Sequence, residues 1–430
     1  LKTMQARMEQ HLADGDIGSA QEDLLAAQSM LPEMRRQLER TGFWRWMPFF
    51  GNQLRALEES TRAVELTLAS VADLFKVAAT LQDAMRAHQA VQGGMDLAVP
   101  PSRSWQDLSP EEKKHLLHKL RDLLPALKIA GEKMHIALEE WDRIEKRPLA
   151  APLERKLRPI VQRLRTYETA LRQGATLLET MIPLVGLSQP KTYLVVLQNA
   201  DELRPAGGFM GTIGLVTVDG GEIRQSIFQD VYALDEAVQD VWHDPPPEIL
   251  ARQLGVSAWF LRDSNWSPDF SVTAQRLMDV YLRERAIAHP STTLSLDGVI
   301  ALQPKLFERL LGMTGPLMVD GKSFHAENFF DQLEYDVEMG FLKDGTPVHR
   351  RKEIVSHVGE VLLRSLLHQP SSRWPDLLDR MTTSLREKDI LLAVRTPDTQ
   401  RLLDAAGWTG RTQSTQGDYL WVVDANLAAL

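Results

Sequence analysis

Residues 192–218, TYLVVLQNADELRPAGGFMGTIGLVTV, decide how this chain folds. The apolar run at the start and the alternating run at the end are both typical of β-strands. Between them lie an acid–arginine cluster, a proline and glycines at positions 207, 208, 211 and 214. These glycines could serve only to connect two strands. They also fit a rim at which an anionic ligand or a metal approaches the backbone closely.

Strands and helices alternate after this stretch. The runs TIGLVTV and EIRQSIF flank Asp219-Gly220-Gly221, which predicts a β-hairpin. This order predicts a layered α/β domain over 188–430, with a central mixed sheet. Further strands are predicted in 297–302, 315–321, 389–394 and 418–423, with helices at 304–313 and at about 269–288, 325–338, 350–367, 373–386 and 397–406.

The first 187 residues have apolar positions at helical spacing throughout. One helix has a strong start signal, because Ser109, Pro110 and Glu112 stand where a capping box requires them. Short polar turns between long helices predict an antiparallel helical bundle or stalk over 1–187. The aromatic residues of FWRWMPFF (43–50) would either plug a core or form an exposed patch for a partner or lipid.

Composition excludes several classes of function. The formal net charge of −9 argues against a general nucleic-acid binder, since neutralising phosphates requires a basic face. The absence of cysteine excludes disulfides, thiolate metal sites and a cysteine nucleophile. No apolar run reaches the roughly 20 residues of a membrane helix. Because the sequence starts at Leu1 inside a helical pattern and ends just after a predicted strand, we expect a fragment with segments missing at both ends.

Polar residues concentrate at the predicted strand ends. Asp201 and Arg204 follow the first strand, Asp230 follows the hairpin, and Arg262 precedes a helix. Ligands of α/β sheets gather at such positions, so we expect these four residues to converge on one groove. The segment HRRK (349–352) places Arg350 and Arg351 in the predicted first turn of a helix, where cations oppose the helix dipole. A bound anion would explain them, and a solvated basic turn is the alternative.

At this point the sequence resembles a known family. The segments YLVVLQNADELRPAGGFMGTIGLVTVDGGEI, QDVY, LRDSNWSPDF and DGVIALQPKLFERLLGMTGPLMVDG are similar to the bacterial domain of unknown function family 4012. The resemblance covers about 191–325. That family occurs in envelope proteins, usually behind an N-terminal membrane helix, and its activity is not established. The resemblance implies an extracytoplasmic protein that is anchored to the cell membrane by a helix upstream of this fragment.

The order of elements is also distantly similar to the LytR-CpsA-Psr family. Those extracytoplasmic enzymes move glycan polymers from polyprenyl-pyrophosphate carriers onto the cell wall. The resemblance implies that Asp201 and Asp230 hold Mg²⁺, while Arg204, Arg262, Arg350 and Arg351 hold a diphosphate. However, Gln229, Val337 and Met339 stand where that family has arginines, and Gly211 stands where it has an acid.

Two classes of function remain open. The first, which the missing arginines favour, is a non-catalytic envelope module. In it, a helical stalk carries a degenerate LytR-CpsA-Psr-like domain that binds an envelope glycan, a lipid carrier or a partner protein. The alternative, favoured by the polar residues kept at strand ends, is a Mg²⁺-dependent phosphotransferase acting on polyprenyl-pyrophosphate-linked glycans. A nucleotide-binding enzyme is disfavoured because AGGFMG lacks the spacing of a phosphate loop.

Overall fold

The computed structural model describes most of the chain in ten segments: 7, 10–11, 16–40, 48–91, 108–146, 151–241, 244–291, 293–347, 350–369 and 373–427. It divides into two compact units, one from residues 1–97 and 115–179 and the other from 98–114 and 180–430. Trp44, Trp46 and His349 lie outside the described residues, as do the side chains of Phe49 and Phe50.

The first unit is built from long helices. Helices α1 and α2 pack side by side, with Arg35 paired to Glu65 and the Gln28 amide donating to the Leu68 carbonyl, so the two helices run antiparallel. Helices α3 and α4 are also antiparallel, because Lys128 pairs with Glu179 while Arg165 pairs with Asp142 further along. The helices span Ile17–Arg40 (α1), Pro48–Val91 (α2), Pro110–Glu145 (α3) and Ala151–Met181 (α4).

The predicted capping box begins α3. The Glu112 amide donates to Ser109 Oγ at 3.2 Å, and the Ser109 amide donates to Glu112 Oε2 at 2.7 Å. Each residue satisfies an amide of the other, which is why the sequence signal was reliable. The core of this unit is formed by small and large apolar residues of α2, α3 and α4: Ala56, Ala63, Met134, Leu138, Trp141, Ile144, Val161 and Leu164.

The second unit contains a mixed five-stranded sheet, and the predicted change from helical to strand period near residue 190 is confirmed. The strands lie in the order β3-β2-β1-β4-β7, and β5 pairs with β6 in a separate hairpin. Strand β1 is antiparallel to β2 and parallel to β4, while β7 is antiparallel to β4. The strands are Lys191–Arg204 (β1), Gly207–Asp219 (β2), Glu222–Asp230 (β3), Gly298–Leu302 (β4), Leu317–Val319 (β5), Lys322–Phe324 (β6) and Ile390–Val394 (β7).

Two tight turns shape the first three strands. Asp219 pairs with Glu222 across Gly220 and Gly221, whose φ angles of 58° and 82° suit a two-residue hairpin turn. The glycine-rich stretch itself forms the β1–β2 hairpin. A Cβ on Gly208 would lie 2.0 Å from the Asn199 carbonyl oxygen, so close strand approach explains this glycine.

Helices cover both faces of the sheet. Helix α7 packs on one face, where Leu194, Ile213 and Val299 meet Leu277 and Tyr281 in the main core. Helices α8 and α10 belong to the other side, where Leu197 of β1 lies. The helices of this unit are Val231–Val238 (α5), Glu248–Leu254 (α6), Phe270–Ala288 (α7), Pro304–Thr314 (α8), Phe329–Tyr335 (α9), Glu353–Leu367 (α10), Trp374–Glu387 (α11) and Pro397–Ala405 (α12).

The structure corrects three predicted elements. The predicted strand 418–423 is absent, because residues 406–427 contain neither helix nor strand, and the side chains of Tyr419–Val423 are exposed, so no burial stabilises a strand there. The predicted helix 325–338 begins only at Phe329 and continues as a π-helix over Asp336–Gly340. The basic residues Arg350 and Arg351 precede helix α10, which begins at Glu353, so they do not occupy its first turn.

Among the described residues, no helix combines the length and the apolar character needed to cross a membrane.

Candidate functional site

A cavity of about 360 Å³ opens where the ends of β1 and β4 meet the start of β2. This volume lies within the range of small-molecule pockets. Most of its wall is apolar and comes from the three strands and from helices α8, α9 and α10: Leu197, Phe209, Leu302, Pro304, Phe307, Phe329, Phe330, Leu333, Val337 and Val355.

Aromatic stacking and a π-helix position the wall. The rings of Phe307 and Phe329 stack with centroids 5.0 Å apart and an interplanar angle of 9°. The π-helix brings Val337 to the cavity, and its buried Asp336 carboxylate pairs with Lys322 at 2.9 Å and accepts from the Gln332 amide at 3.1 Å. Short π-helical segments are frequent at functional sites, because the extra residue in the turn redirects side chains.

Two cations on one carboxylate form the polar end of the cavity. Arg351 donates through Nε to Asp230 Oδ2 at 3.0 Å and also through Nη2, and the Lys352 ammonium lies 3.6 Å from Asp230 Oδ1. Asp230 also begins helix α5, because its Oδ1 accepts from the Tyr232 amide at 3.1 Å. The side chains of Arg351 and Lys352 line the cavity, and we call them the basic pair.

Gly211 explains how Lys352 reaches this position. The Lys352 ammonium donates to the Gly211 carbonyl, and a Cβ at Gly211 would lie 3.2 Å from Nζ. Lys352 is 6% exposed, and burial lowers its pKa although Asp230 opposes that shift. The bare backbone at Gly211 therefore admits a buried cation to the cavity.

Acidic side chains also line the cavity. Glu202 and Glu334 line the cavity, and Glu338 pairs with Arg351 at 3.1 Å. Burial raises the pKa of Glu334, and the nearby carboxylates of Asp201 and Glu202 raise it further. The cavity is thus lined by both basic and acidic side chains, and one of the acids is paired with Arg351.

The structure places Arg204 and Arg262 on the aromatic rings beside the cavity. The Arg204 guanidinium lies 5.3 Å from the centre of the Phe209 ring, and that of Arg262 lies 5.1 Å from the Tyr232 ring. Phe209 and Tyr232 line the cavity, with their centroids 6.3 Å apart. Both arginines also have protein partners, because Arg204 donates to the Asn426 carbonyl at 2.6 Å and Arg262 donates to Asp235 at 2.8 Å.

The other predicted residues lie further from the cavity wall. Arg350 is exposed and pairs with Glu353 at 2.7 Å, so it does not share the position of Arg351. Asp201 is exposed on β1, where its amide donates to Asn199 Oδ1 at 3.0 Å. The structure therefore brings Asp230 and Arg351 into direct contact. The wider convergence of Asp201, Arg204, Asp230 and Arg262 on one groove stays a prediction.

Asp230 does not fit a magnesium ligand in this arrangement. Its two oxygens face Arg351, Lys352 and the Tyr232 amide, so a divalent cation there would lie against two positive charges. Within the described part of the chain, no group of three or more histidine and acidic side chains is arranged to hold a metal ion. The expected role of Mg²⁺ stays a prediction.

The sequence patterns do not identify several residues of the cavity. They indicate Lys352 only as part of a basic turn, although it is the more buried of the two cations that line the cavity. The apolar wall was also missed, although Phe329, Phe330, Leu333 and Val337 recur at helical spacing in NFFDQLEYDV. That pattern predicts a buried helix face as readily as a ligand pocket, so it could not identify the cavity.

Comparison with known proteins agrees with the family resemblance. Residues 188–337 match the family described as protein of unknown function (DUF4012). No curated protein and no solved structure matches the chain.

Proposed function

We propose that this protein is a non-catalytic module of the bacterial cell envelope that binds an anionic prenyl lipid carrier. The prenyl chain would lie in the cavity, and its phosphate would contact the basic pair. The observation that carries the proposal is the juxtaposition of an apolar cavity of about 360 Å³ with Arg351 and Lys352 at its polar end. An envelope location, with an anchor upstream of this sequence, belongs to the proposal.

The cavity favours a lipid over the other ligands considered. A glycan needs many polar groups along its length, whereas this wall is dominated by phenylalanine, leucine and valine side chains. A partner protein would need a broad exposed surface, whereas this site is concave. Each CH₂ group transferred from water into such a cavity contributes about 0.8 kcal/mol, so a prenyl chain would supply most of the affinity.

The phosphate would have to displace Glu338 from Arg351. The Glu338 side chain is 54% exposed and can turn into water, so breaking this ion pair costs little. The carboxylates of Glu202 and Glu334 would still repel a diphosphate. A divalent cation between these acids and the lipid head would relieve that repulsion, which is why we expect Mg²⁺ or Mn²⁺ to strengthen binding.

Two replaced positions support binding without turnover. Val337 stands where the LytR-CpsA-Psr family has an arginine, and here it is part of the apolar wall. Gly211 stands where that family has an acid, and here its carbonyl accepts from Lys352. The site therefore has fewer groups to hold and polarise a diphosphate than an enzyme of that family, so we expect turnover to be weak or absent.

Calorimetric titration with geranyl and farnesyl phosphate tests the proposal. Because each additional buried CH₂ is worth about fourfold in affinity, the longer chain should bind more tightly. Filling the cavity with Leu333→Trp should abolish binding, whereas Met339→Trp, a 56% exposed position on the same helical segment, should leave it unchanged. Equal effects of both substitutions would contradict a chain in the cavity.

The headgroup is tested by a second pair of variants. Arg351→Gln removes charge-assisted hydrogen bonds worth about 1.5–3 kcal/mol, so it should weaken farnesyl phosphate binding by about tenfold to a hundredfold. Arg350→Gln makes the same charge change at the neighbouring exposed residue and should have less than about a twofold effect. Farnesol should bind the native protein and Arg351→Gln equally.

The same titration with EDTA, on the native protein and on Arg204→Ala, tests the metal. Binding that EDTA does not weaken would remove the proposed role of Mg²⁺, and binding that persists in Arg204→Ala would remove the predicted role of Arg204 in holding the phosphate. Absence of binding by every prenyl ligand would leave a partner protein or a glycan as the ligand of the module, and efficient glycan transfer would make it an enzyme.

A further inference from the structure

A second, smaller cavity lies on the opposite face of the sheet, between helix α7 and strands β1, β2 and β3. Its volume is about 100 Å³, enough for several water molecules. Ile213 of β2 lines this cavity while its neighbour Thr212 lines the larger one, and successive residues of a strand point to opposite faces. The two cavities are therefore separate.

Arg285 is the cation of this smaller cavity. It follows Tyr281 by four residues on α7, so both side chains lie on one face of the helix, and the two side chains hydrogen-bond. The Nε atom of Arg285 is buried and has no hydrogen-bond partner. Within the part of the chain that the structure describes, no carboxylate forms an ion pair with Arg285.

Three other arginines of this unit differ in this respect. Arg262, Arg276 and Arg351 are comparably enclosed, and each pairs with an aspartate. A half-buried guanidinium that lacks an anion is unfavourable, because desolvation weakens its hydration and nothing replaces it. The positive charge of Arg285 is thus not balanced by a carboxylate of the described residues.

The polar groups around Arg285 are almost all able to donate hydrogen bonds. Gln225 and Gln229 of β3 present amides, and Thr192 and Thr217 present hydroxyl groups 3.0 Å apart. The hydroxyl of Tyr281 completes the set, and among the described residues no acidic side chain lines the cavity. An arginine fork with amide and hydroxyl donors is the arrangement that recognises carboxylate and phosphate oxygens.

We propose that Arg285 forms a second binding site, for a small oxyanion of the carboxylate or phosphate type. This site is independent of the lipid site on the other face. The cavity is too small for a prenyl chain or a nucleotide, so the ligand is a small free anion or one oxyanion group of a larger molecule.

The test is stabilisation of the folded protein by the anion. The midpoint temperature of unfolding is measured at increasing concentrations of potassium phosphate or potassium acetate. Potassium chloride keeps the ionic strength constant and serves as the reference. The native protein should show a saturable rise, because a ligand that binds only the folded state stabilises it by mass action. Arg285→Gln should lose this rise. Arg252→Gln, an exposed arginine of α6, should retain it.

Other variants separate the possible causes. Phosphate also stabilises proteins by exclusion from their surfaces, and that effect would be equal in all variants. Equal rises in the native protein and Arg285→Gln would therefore overturn the proposal. Arg351→Gln should keep the rise, and its loss there instead would assign the anion to the lipid site. Acetate and phosphate together distinguish a carboxylate site from a phosphate site.

Conservative variants keep the test decisive should Arg285→Gln not fold. Arg285→Lys retains the charge without the two-pronged fork and should weaken anion binding at least severalfold. Tyr281→Phe removes a single donor, and the affinity should fall by roughly two- to tenfold. Unchanged affinity in both of these variants would overturn the proposal.

Discussion

Two clusters of acidic and basic side chains each include an aspartate at helix α5, but they differ in burial and in the balance of charge. At the N-cap of this helix, Asp230 contacts Arg351 and Lys352, and the exposed Glu338 also pairs with Arg351, so two cations meet one enclosed and one exposed carboxylate at the edge of a cavity. Further along the helix, Asp235 pairs with Arg262 and neighbours Glu284, and Arg262 also lies 3.6 Å from the buried Asp263, so three carboxyl groups surround one cation. Arg351 can exchange the exposed Glu338 for a ligand, whereas Arg262 is held by the buried carboxyl groups of Asp235 and Asp263.

Burial explains the second cluster. Asp235 and Glu284 are 1% and 0% exposed, and the Leu261 amide donates to both, at 3.2 Å each. Burial, and then the proximity of Asp235, raises the pKa of Glu284 to about 9. Burial also raises the pKa of Asp235, to about 6, although Arg262 opposes that shift. Of these two carboxyl groups, Glu284 therefore keeps its proton to the higher pH.

The largest expected difference between the clusters is in stability. Arg262→Met leaves Asp235 without its cation in the core, and at pH 7 it should lower the free energy of unfolding by about 3–5 kcal/mol. Arg351→Met should cost about 1–2 kcal/mol, since Asp230 keeps Lys352 and the Tyr232 amide. Urea denaturation of both variants measures the difference. Equal losses in the free energy of unfolding would mean that the two clusters contribute equally to stability.

The next effect is the pH dependence that Glu284 imposes. Its pKa is raised on folding, so the unfolded state releases this proton at lower pH than the folded state. Stability from this group is complete below the unfolded pKa and falls as the pH rises towards 9, by up to about 1.4 kcal/mol per pH unit. Glu284→Gln should flatten the decline between pH 5 and pH 8 and stabilise the protein at pH 8.

The control for that measurement lies on the same helix as Asp235. Glu236→Gln changes an exposed carboxylate and should leave the slope of stability against pH unchanged. A slope that is the same in the native protein and in Glu284→Gln would show that Glu284 ionises normally, and the contrast between the clusters would disappear.

The smallest effect concerns the delivery of Lys352 to the cavity. Gly211→Ala places a Cβ 3.2 Å from the Lys352 ammonium, the mobile end of a flexible side chain, so the lysine should shift and stability should change by less than about 1 kcal/mol. Farnesyl phosphate affinity should fall by a fewfold, because the cation no longer points to the headgroup. The control is Gly359→Ala on α10, where an added Cβ meets open space. Gly298→Ala cannot serve as a control, because its Cβ would lie 2.3 Å from the Ala393 carbonyl oxygen.

Local signals predicted much of the fold correctly. The Ser109–Glu112 capping box, the Gly220–Gly221 turn and the strand run before Asn199 each depend on neighbours within a few residues, so the sequence contains all the required information. The predicted strand at 418–423 failed for the opposite reason. Its apolar residues favour a strand, but a strand also needs an edge to pair with, and β-propensity cannot supply that edge.

Charged residues were predicted by type and position, but their partners were decided by tertiary structure. The sequence by itself determined that Asp230 ends a strand and that Arg350 and Arg351 form a basic turn, because chain order and local period fix these facts. It could not determine that Arg351 turns to Asp230 while Arg350 turns to Glu353. Nor could it reveal that Glu284 lies beside Asp235, which precedes it by 49 positions in the chain. The cavity beside Arg285, with its amide and hydroxyl donors, was equally hidden in the sequence. Side-chain pairing and burial arise when distant elements pack together, so only the folded chain decides which charges face a ligand and which face each other.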